Sequence, residues 1–154
     1  MMFQVELLER KAQPALVVRA KTAVAELPKV IGESYGKIMG YLNELGVQPI
    51  DAPYTAYYNL DMENLDVEMG FPVAKLFPDK EDIHAREIPA GKFASCIYKG
   101  PYSGMEQPYN EMFRWIEENG CKPAGEYYEY YYNAPSDVPE SELLTKIVMP
   151  VIQK

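Results

Sequence analysis

Five tyrosines surround a single carboxylate in the segment Tyr127-Tyr128-Glu129-Tyr130-Tyr131-Tyr132-Asn133. A glutamate between aromatic walls has two chemical uses. Desolvation makes its ionised form costly unless a cation arrives, so it can trap a lipophilic cation, and each tyrosine face adds roughly 0.5–2 kcal/mol of cation–π attraction. The same surroundings raise its pKa and suit it to general-base work on water. A solvated strand glutamate does neither, and staying at the surface is the ordinary habit of Glu. Residue types alone leave trap and base both open.

Alternate side chains of a strand share a face, so Tyr127, Glu129, Tyr131 and Asn133 look one way and Tyr128, Tyr130 and Tyr132 the other. The first set is the candidate ligand face and the second the packing face. A related segment, Thr55-Ala56-Tyr57-Tyr58-Asn59, places Thr55 where the later one has Glu129 and Tyr57 where it has Tyr131. Val67, Met69, Phe71 and Val73 form an apolar strand face matched by Ile147, Met149 and Val151, and Glu68 and Lys146 occupy equivalent positions on the reverse. The expected ligand set is therefore Glu129, Tyr131, Tyr127 and Tyr57, with Glu68 as a second anionic contact. Trp115, the single tryptophan, is either a stacking wall or, as for most aromatic residues, packing at a helix edge. Tyr98 and Tyr102 flank the turn signal Lys99-Gly100-Pro101. Tyr102 is the better rim candidate because loops carry function more often than strands.

Other chemistries find little footing. His84 is the single histidine, with no Ser/His/Asp order and no set of metal ligands near it. Cys96 and Cys121 lack CxxC or Cys/His spacing and read as buried or idle thiols. Gly100-Pro101-Tyr102-Ser103-Gly104 lacks the Lys-Ser/Thr ending of a nucleotide loop. Neither a cofactor nor a metal is expected.

The elements that must position these residues come in two copies. With an offset of 74, Tyr35, Ile38, Tyr41, Leu42 and Gly46 fall on Tyr109, Met112, Trp115, Ile116 and Gly120; toward both ends the offset becomes 78, with Phe71-Pro72-Val73 over Met149-Pro150-Val151. Each copy reads as two strands, a helix of about three turns closed by glycine, and two further strands. The first strand is expected from the alternation of Phe3, Val5 and Leu7, and the first helix from Tyr35, Ile38, Met39, Leu42 and Leu45. The fold class is thus α+β: duplicated ββαββ units with antiparallel sheets, two helices and a central cleft, in one domain over 1–154 with pseudo-repeats of about 1–78 and 79–154. Concave aromatic seams of that kind are where small molecules bind.

Composition agrees. The 154 residues are 47% hydrophobic and 25% charged, with no apolar run long enough to span a membrane and no signal peptide, which predicts a cytoplasmic protein. A net charge of −8 opposes direct nucleic-acid binding. Between Ser103 and Thr145 nine acids face only Arg114 and Lys122, an imbalance that keeps a surface soluble or attracts a cation or a basic partner.

The duplicated unit, the segments YKGPYSGM at 98–105, WIEENG at 115–120 and YEYYYN, and the terminal LLTKIVMPV resemble the GyrI-like family, the effector-binding domain of AraC- and BmrR-type transcription regulators. The resemblance covers nearly the whole chain. It implies a cleft between two pseudo-symmetric halves that binds small, often cationic and aromatic compounds, with Glu129 at the position of the cation-contacting glutamate. Because the first strand starts at Phe3, a stand-alone member without a DNA-binding domain is expected. Family members differ in activity, and three functions stay open: multidrug or effector binding; hydrolysis of cyclopropane-bearing electrophiles with Glu129 as base; and a protein-interaction role, with a regulator or gyrase as partner.

Overall fold

The computed structural model describes residues 4–154; Phe3, expected to open the first strand, lies outside them. Nine strands and two helices occur among the described residues, in the order β1 (Val5–Arg10), β2 (Gln13–Thr22), α1 (Leu27–Leu45), β3 (Tyr54–Tyr57), β4 (Leu65–Pro72), β5 (His84–Ile88), β6 (Gly91–Lys99), α2 (Glu106–Glu118), β7 (Cys121–Pro123), β8 (Tyr127–Tyr131) and β9 (Leu144–Gln153). The class is α+β, and every pairing described below is antiparallel, as the pattern of strands and helices predicts. The chain divides into two compact units, one of residues 11–90 and the other of β1 with residues 91–154.

In the unit of residues 11–90 the strands run β3-β4-β2-β5. The register sets Leu16 against Phe71 and Val18 against Met69. These side chains share one face with Val67, and α1 contacts both β2 and β4 and buries Ile38 and Leu42. Helix α1 closes where the sequence places its stop: Gly46 takes φ 69°, the left-handed geometry glycine adopts without a Cβ clash, and the Val47 amide bonds the Leu42 carbonyl at 3.0 Å. The helix is longer than expected, because it starts at Leu27 with Pro28 in its first turn. Its opening turns carry Leu27, Val30 and Ile31 at helical spacing, which continues the stripe back from Tyr35, with Gly32 and Gly36 on the exposed side.

In the other unit the order is β1-β6-β9-β8, with β7 added to the end of β9. Alternation on β6 and β9 gathers Ala94, Cys96, Tyr98, Ile147 and Met149 on one face, where they form a cluster with Met112 and Ile116 of α2. Strand β7 has no counterpart in the ββαββ reading; its three residues pair with Val151, Ile152 and Gln153.

The first strand of each expected copy is exchanged. β1 does not join β2 but pairs with β6, and β5 leaves β6 to pair with β2. At the edge of its sheet β1 has a neighbour on one side only, so the alternation expected of a half-buried strand is lost, with Leu7 and Leu8 both exposed.

The same local bonds recur at the offsets seen in the sequence. Asn59 accepts from the Asp66 amide (3.1 Å) and donates to the Asn64 carbonyl (3.0 Å); Asn133 accepts from the Leu144 amide (2.9 Å) and donates to the Glu142 carbonyl (3.2 Å). The two Tyr-Tyr-Asn motifs are thus turn clamps, whose asparagine amide closes the hairpin from both sides.

Candidate functional site

Glu129 stands on β8 opposite Ile147 and therefore on the face that α2 covers. It is 9% exposed. Its two oxygens are each held by a phenol: Tyr109 of α2 donates to Oε2 at 2.5 Å, and Tyr131, two residues along the strand, donates to Oε1 at 2.8 Å. No cationic side chain among the described residues pairs with it. Burial pushes the Glu129 carboxyl above its ordinary range, and the two phenols oppose that rise by stabilising the anion.

Aromatic rings extend from this centre. Tyr102 meets Tyr131 edge to face at 5.8 Å between ring centres, and it is 42% exposed. Burial and the charge of Glu129 together raise its phenol pKa. On the other flank Tyr127 packs edge-on against Phe113 at 5.6 Å and lies 6.3 Å from Tyr109, itself 6.2 Å from Phe113. Glu129, Tyr131, Tyr102 and Tyr127 are thus assembled in one unit, and the structure adds Tyr109 and Phe113.

The turn that carries Tyr102 is built around Tyr98. The Tyr98 hydroxyl donates to the Pro101 carbonyl at 2.8 Å, and any side chain at Gly104 would run into that hydroxyl. Gly100 adopts φ 149° beside the same ring. The glycines of Lys99-Gly100-Pro101-Tyr102-Ser103-Gly104 leave room for a buried tyrosine and make no anion cradle.

The remaining expected residues are Trp115, Tyr57 and Glu68. Trp115 packs against the α2 cluster, about a third of a turn round the helix from Tyr109. Tyr57 and Glu68 belong to the unit of residues 11–90, on opposite faces of the β3–β4 pair: Tyr57 faces Val67 across the ladder, while Glu68 faces Ala56 and Arg19. Glu68, 3% exposed, is ion-paired with Arg86 and accepts from the Tyr54 hydroxyl at 3.1 Å. Its charge is already matched within the fold. In that same unit Tyr35 on α1 bonds the Thr55 hydroxyl at 3.0 Å, the bond that Tyr109 and Glu129 repeat with a carboxylate in place of the threonine.

A shallow groove of about 210 Å3 lies over α1, lined by Gly36, Gly40 and Tyr41 with the ion pairs Lys37–Asp82 and Lys80–Glu44, and contains none of the singled-out residues. His84 is exposed beside Asp79 at 3.1 Å. Among the described residues no group of three His, Cys, Asp or Glu side chains could hold a metal ion, and no helix is long and apolar enough to cross a membrane.

A family model described as the GyrI-like small molecule binding domain matches residues 3–152. The chain belongs to this family. No curated protein matches this GyrI-like domain. Among solved structures, EcmrR in a complex with DNA is similar over 99% of the chain and 58% of its own, at 22% identity and a TM-score of 0.85. The EcmrR C-terminal domain alone is covered in full by the whole chain, at 22% identity and a TM-score of 0.75. The domain thus spans little more than half of the EcmrR chain in the DNA complex. A hydrolase from Listeria innocua follows at 14% identity and a TM-score of 0.71, over 97% of this chain and 92% of its own. SAV2435, solved with tetraphenylphosphonium, matches at 12% identity and a TM-score of 0.62, over 99% and 94%. At these identities the likeness is one of fold.

Tyr109 escaped sequence reasoning in this GyrI-like domain because its spacing with Met112, Phe113 and Ile116 reads as an apolar stripe. The signal available was the repeat itself, which pairs Tyr109 with Tyr35 and Glu129 with Thr55.

Proposed function

We propose that this GyrI-like domain binds lipophilic, cationic aromatic compounds, with Glu129 supplying the charge and Tyr102, Tyr109, Tyr127 and Tyr131 the aromatic surround. What carries the reading is a carboxylate 9% exposed, hydrogen-bonded by two phenols and without a cationic partner among the described residues. A buried anion so placed gains from an arriving cation what a solvated one would not, since its desolvation has already occurred on folding. Two phenols hold both oxygens in place, so little ordering remains for binding to impose. That SAV2435 was solved with tetraphenylphosphonium adds support at the level of fold. The recurring asparagine clamps and the Tyr35–Thr55 and Tyr109–Glu129 bonds support an origin by internal duplication, and two unpaired cysteines suit a cytoplasmic location.

Isothermal titration with tetraphenylphosphonium tests this. The wild type should bind saturably and Glu129→Gln should lose about tenfold or more in affinity, the scale set by a hydrogen-bonded charge partner. Equal dissociation constants in the two proteins would overturn it. The raised pKa of Glu129 also favours a second reading, hydrolysis of cyclopropane-bearing electrophiles with Glu129 as the base that activates water. Turnover of such a compound that vanishes in Glu129→Gln would favour it over simple binding.

A further inference from the structure

The Thr145 hydroxyl is the single buried side-chain polar atom without a hydrogen-bond partner among the described residues, and its residue is 0% exposed. Thr145 lies on β9 between Tyr131 of β8 and Tyr98 of β6, directly across the ladder from each. It shares their face, the one that bears Glu129 two positions along β8. Both flanking phenols are turned elsewhere: Tyr98 donates to the Pro101 carbonyl and Tyr131 to Glu129.

A hydroxyl in this position destabilises the fold unless something meets it, because burial strips its water and returns no bond. Packing does not ask for it. At the offset that brings Lys146 onto Glu68, Thr145 falls on Val67, a side chain of nearly the same shape, also 0% exposed and also on the helix-covered face of its sheet. One copy of the position therefore does without the oxygen. The other keeps it beside the carboxylate.

We propose that the Thr145 hydroxyl is a specificity contact of the Glu129 site: it hydrogen-bonds a polar substituent on the bound cation, so the preferred ligand is a lipophilic cation that also carries a hydroxyl, amine or carbonyl group. This rests on the cation-binding reading above. Tyr102, 42% exposed, packs edge-on against Tyr131, and the Thr145 contact requires an outward swing of Tyr102 alone, which leaves the Tyr131–Glu129 bond in place while a ligand reaches Thr145. The carboxylate then sets affinity for charge, and the threonine distinguishes among cations of equal charge.

The test compares tetraphenylphosphonium with (4-hydroxyphenyl)triphenylphosphonium, which differ by one hydroxyl, by isothermal titration of the full chain. The wild type should prefer the hydroxylated cation by about three- to tenfold, the usual yield of one buried hydrogen bond. In Thr145→Val that ratio should collapse toward one, while Thr145→Ser, which keeps the oxygen, should retain it. The melting temperature of Thr145→Val should equal or exceed the wild type, because the orphaned hydroxyl is gone. A preference undiminished in Thr145→Val, or none in the wild type, overturns the proposal and leaves the cation site standing. Failure of both cations to bind, or binding indifferent to Glu129→Gln, overturns the underlying reading and the Thr145 contact with it.

Discussion

At the scale of the residue, the chemistry of Glu129 is decided by competition between burial, which favours the neutral acid, and two phenols, which favour the anion. The folded carboxyl titrates above the unfolded one, so the native state binds the extra proton. The stability this confers is complete below the unfolded pKa and is lost as pH rises through the folded value. Urea unfolding over about pH 4 to 8 should therefore show a fall in wild-type stability with rising pH that is missing from Glu129→Gln. A pH-independent difference between the two proteins would mean that Glu129 does not titrate in this way. The sequence disclosed Glu129, Tyr127 and Tyr131 as one face because a strand alternates strictly. It did not disclose the Arg86–Glu68 pair, because Arg86 sits on β5, and only the exchange of β5 onto β2 brings the two side chains together.

At the scale of the element, glycines separate into those the structure needs and those it tolerates. Gly104 has the Tyr98 hydroxyl where its Cβ would stand, so Gly104→Ala must push the 98–104 turn outward and take Tyr102 with it. A loss of roughly 1–3 kcal/mol is expected from such overpacking. Gly36 and Gly40 on α1 have nothing within 4 Å of a built Cβ and ordinary helical backbone. Gly36→Ala and Gly40→Ala should each gain up to about 1 kcal/mol. Denaturant midpoints measured side by side check both signs. The end of α1 was legible in the sequence because Gly46 has to turn left-handed there. Its start was hidden not by want of a stripe, since Leu27, Val30 and Ile31 extend the spacing back, but by Gly32 and Gly36, which weaken a helix. Strand β7 was equally hidden, its three residues being too short for alternation to register.

At the scale of the whole molecule, the two copies expected from the sequence and the two compact units of the fold do not share boundaries. The repeat divides the chain near residue 78, whereas the compact units divide it at residues 10–11 and 90–91. Periodicity reports which strands exist and nothing about their partners, so the ββαββ pattern was readable and the exchange of β1 and β5 was not. The acidic charge of −8 belongs to this scale as well: it raises the local concentration of cations around the entire domain, so cation affinity should weaken with added salt more in the wild type than in Glu129→Gln.

The exchanged strand also has a schedule. A ribosome makes β1 before the entire 11–90 unit, and β6, its one partner among the described residues, after it. For that interval β1 is an unpaired ribbon presenting Leu7 and Leu8, a ready template for another strand. Nascent chains arrested after β5 but before β6 should be cut by protease within residues 4–10 while β2 to β5 resist, and protection of β1 at that stage would show an earlier, temporary partner. The unit that carries Glu129 can close only after synthesis reaches β9, later than every strand of the 11–90 unit.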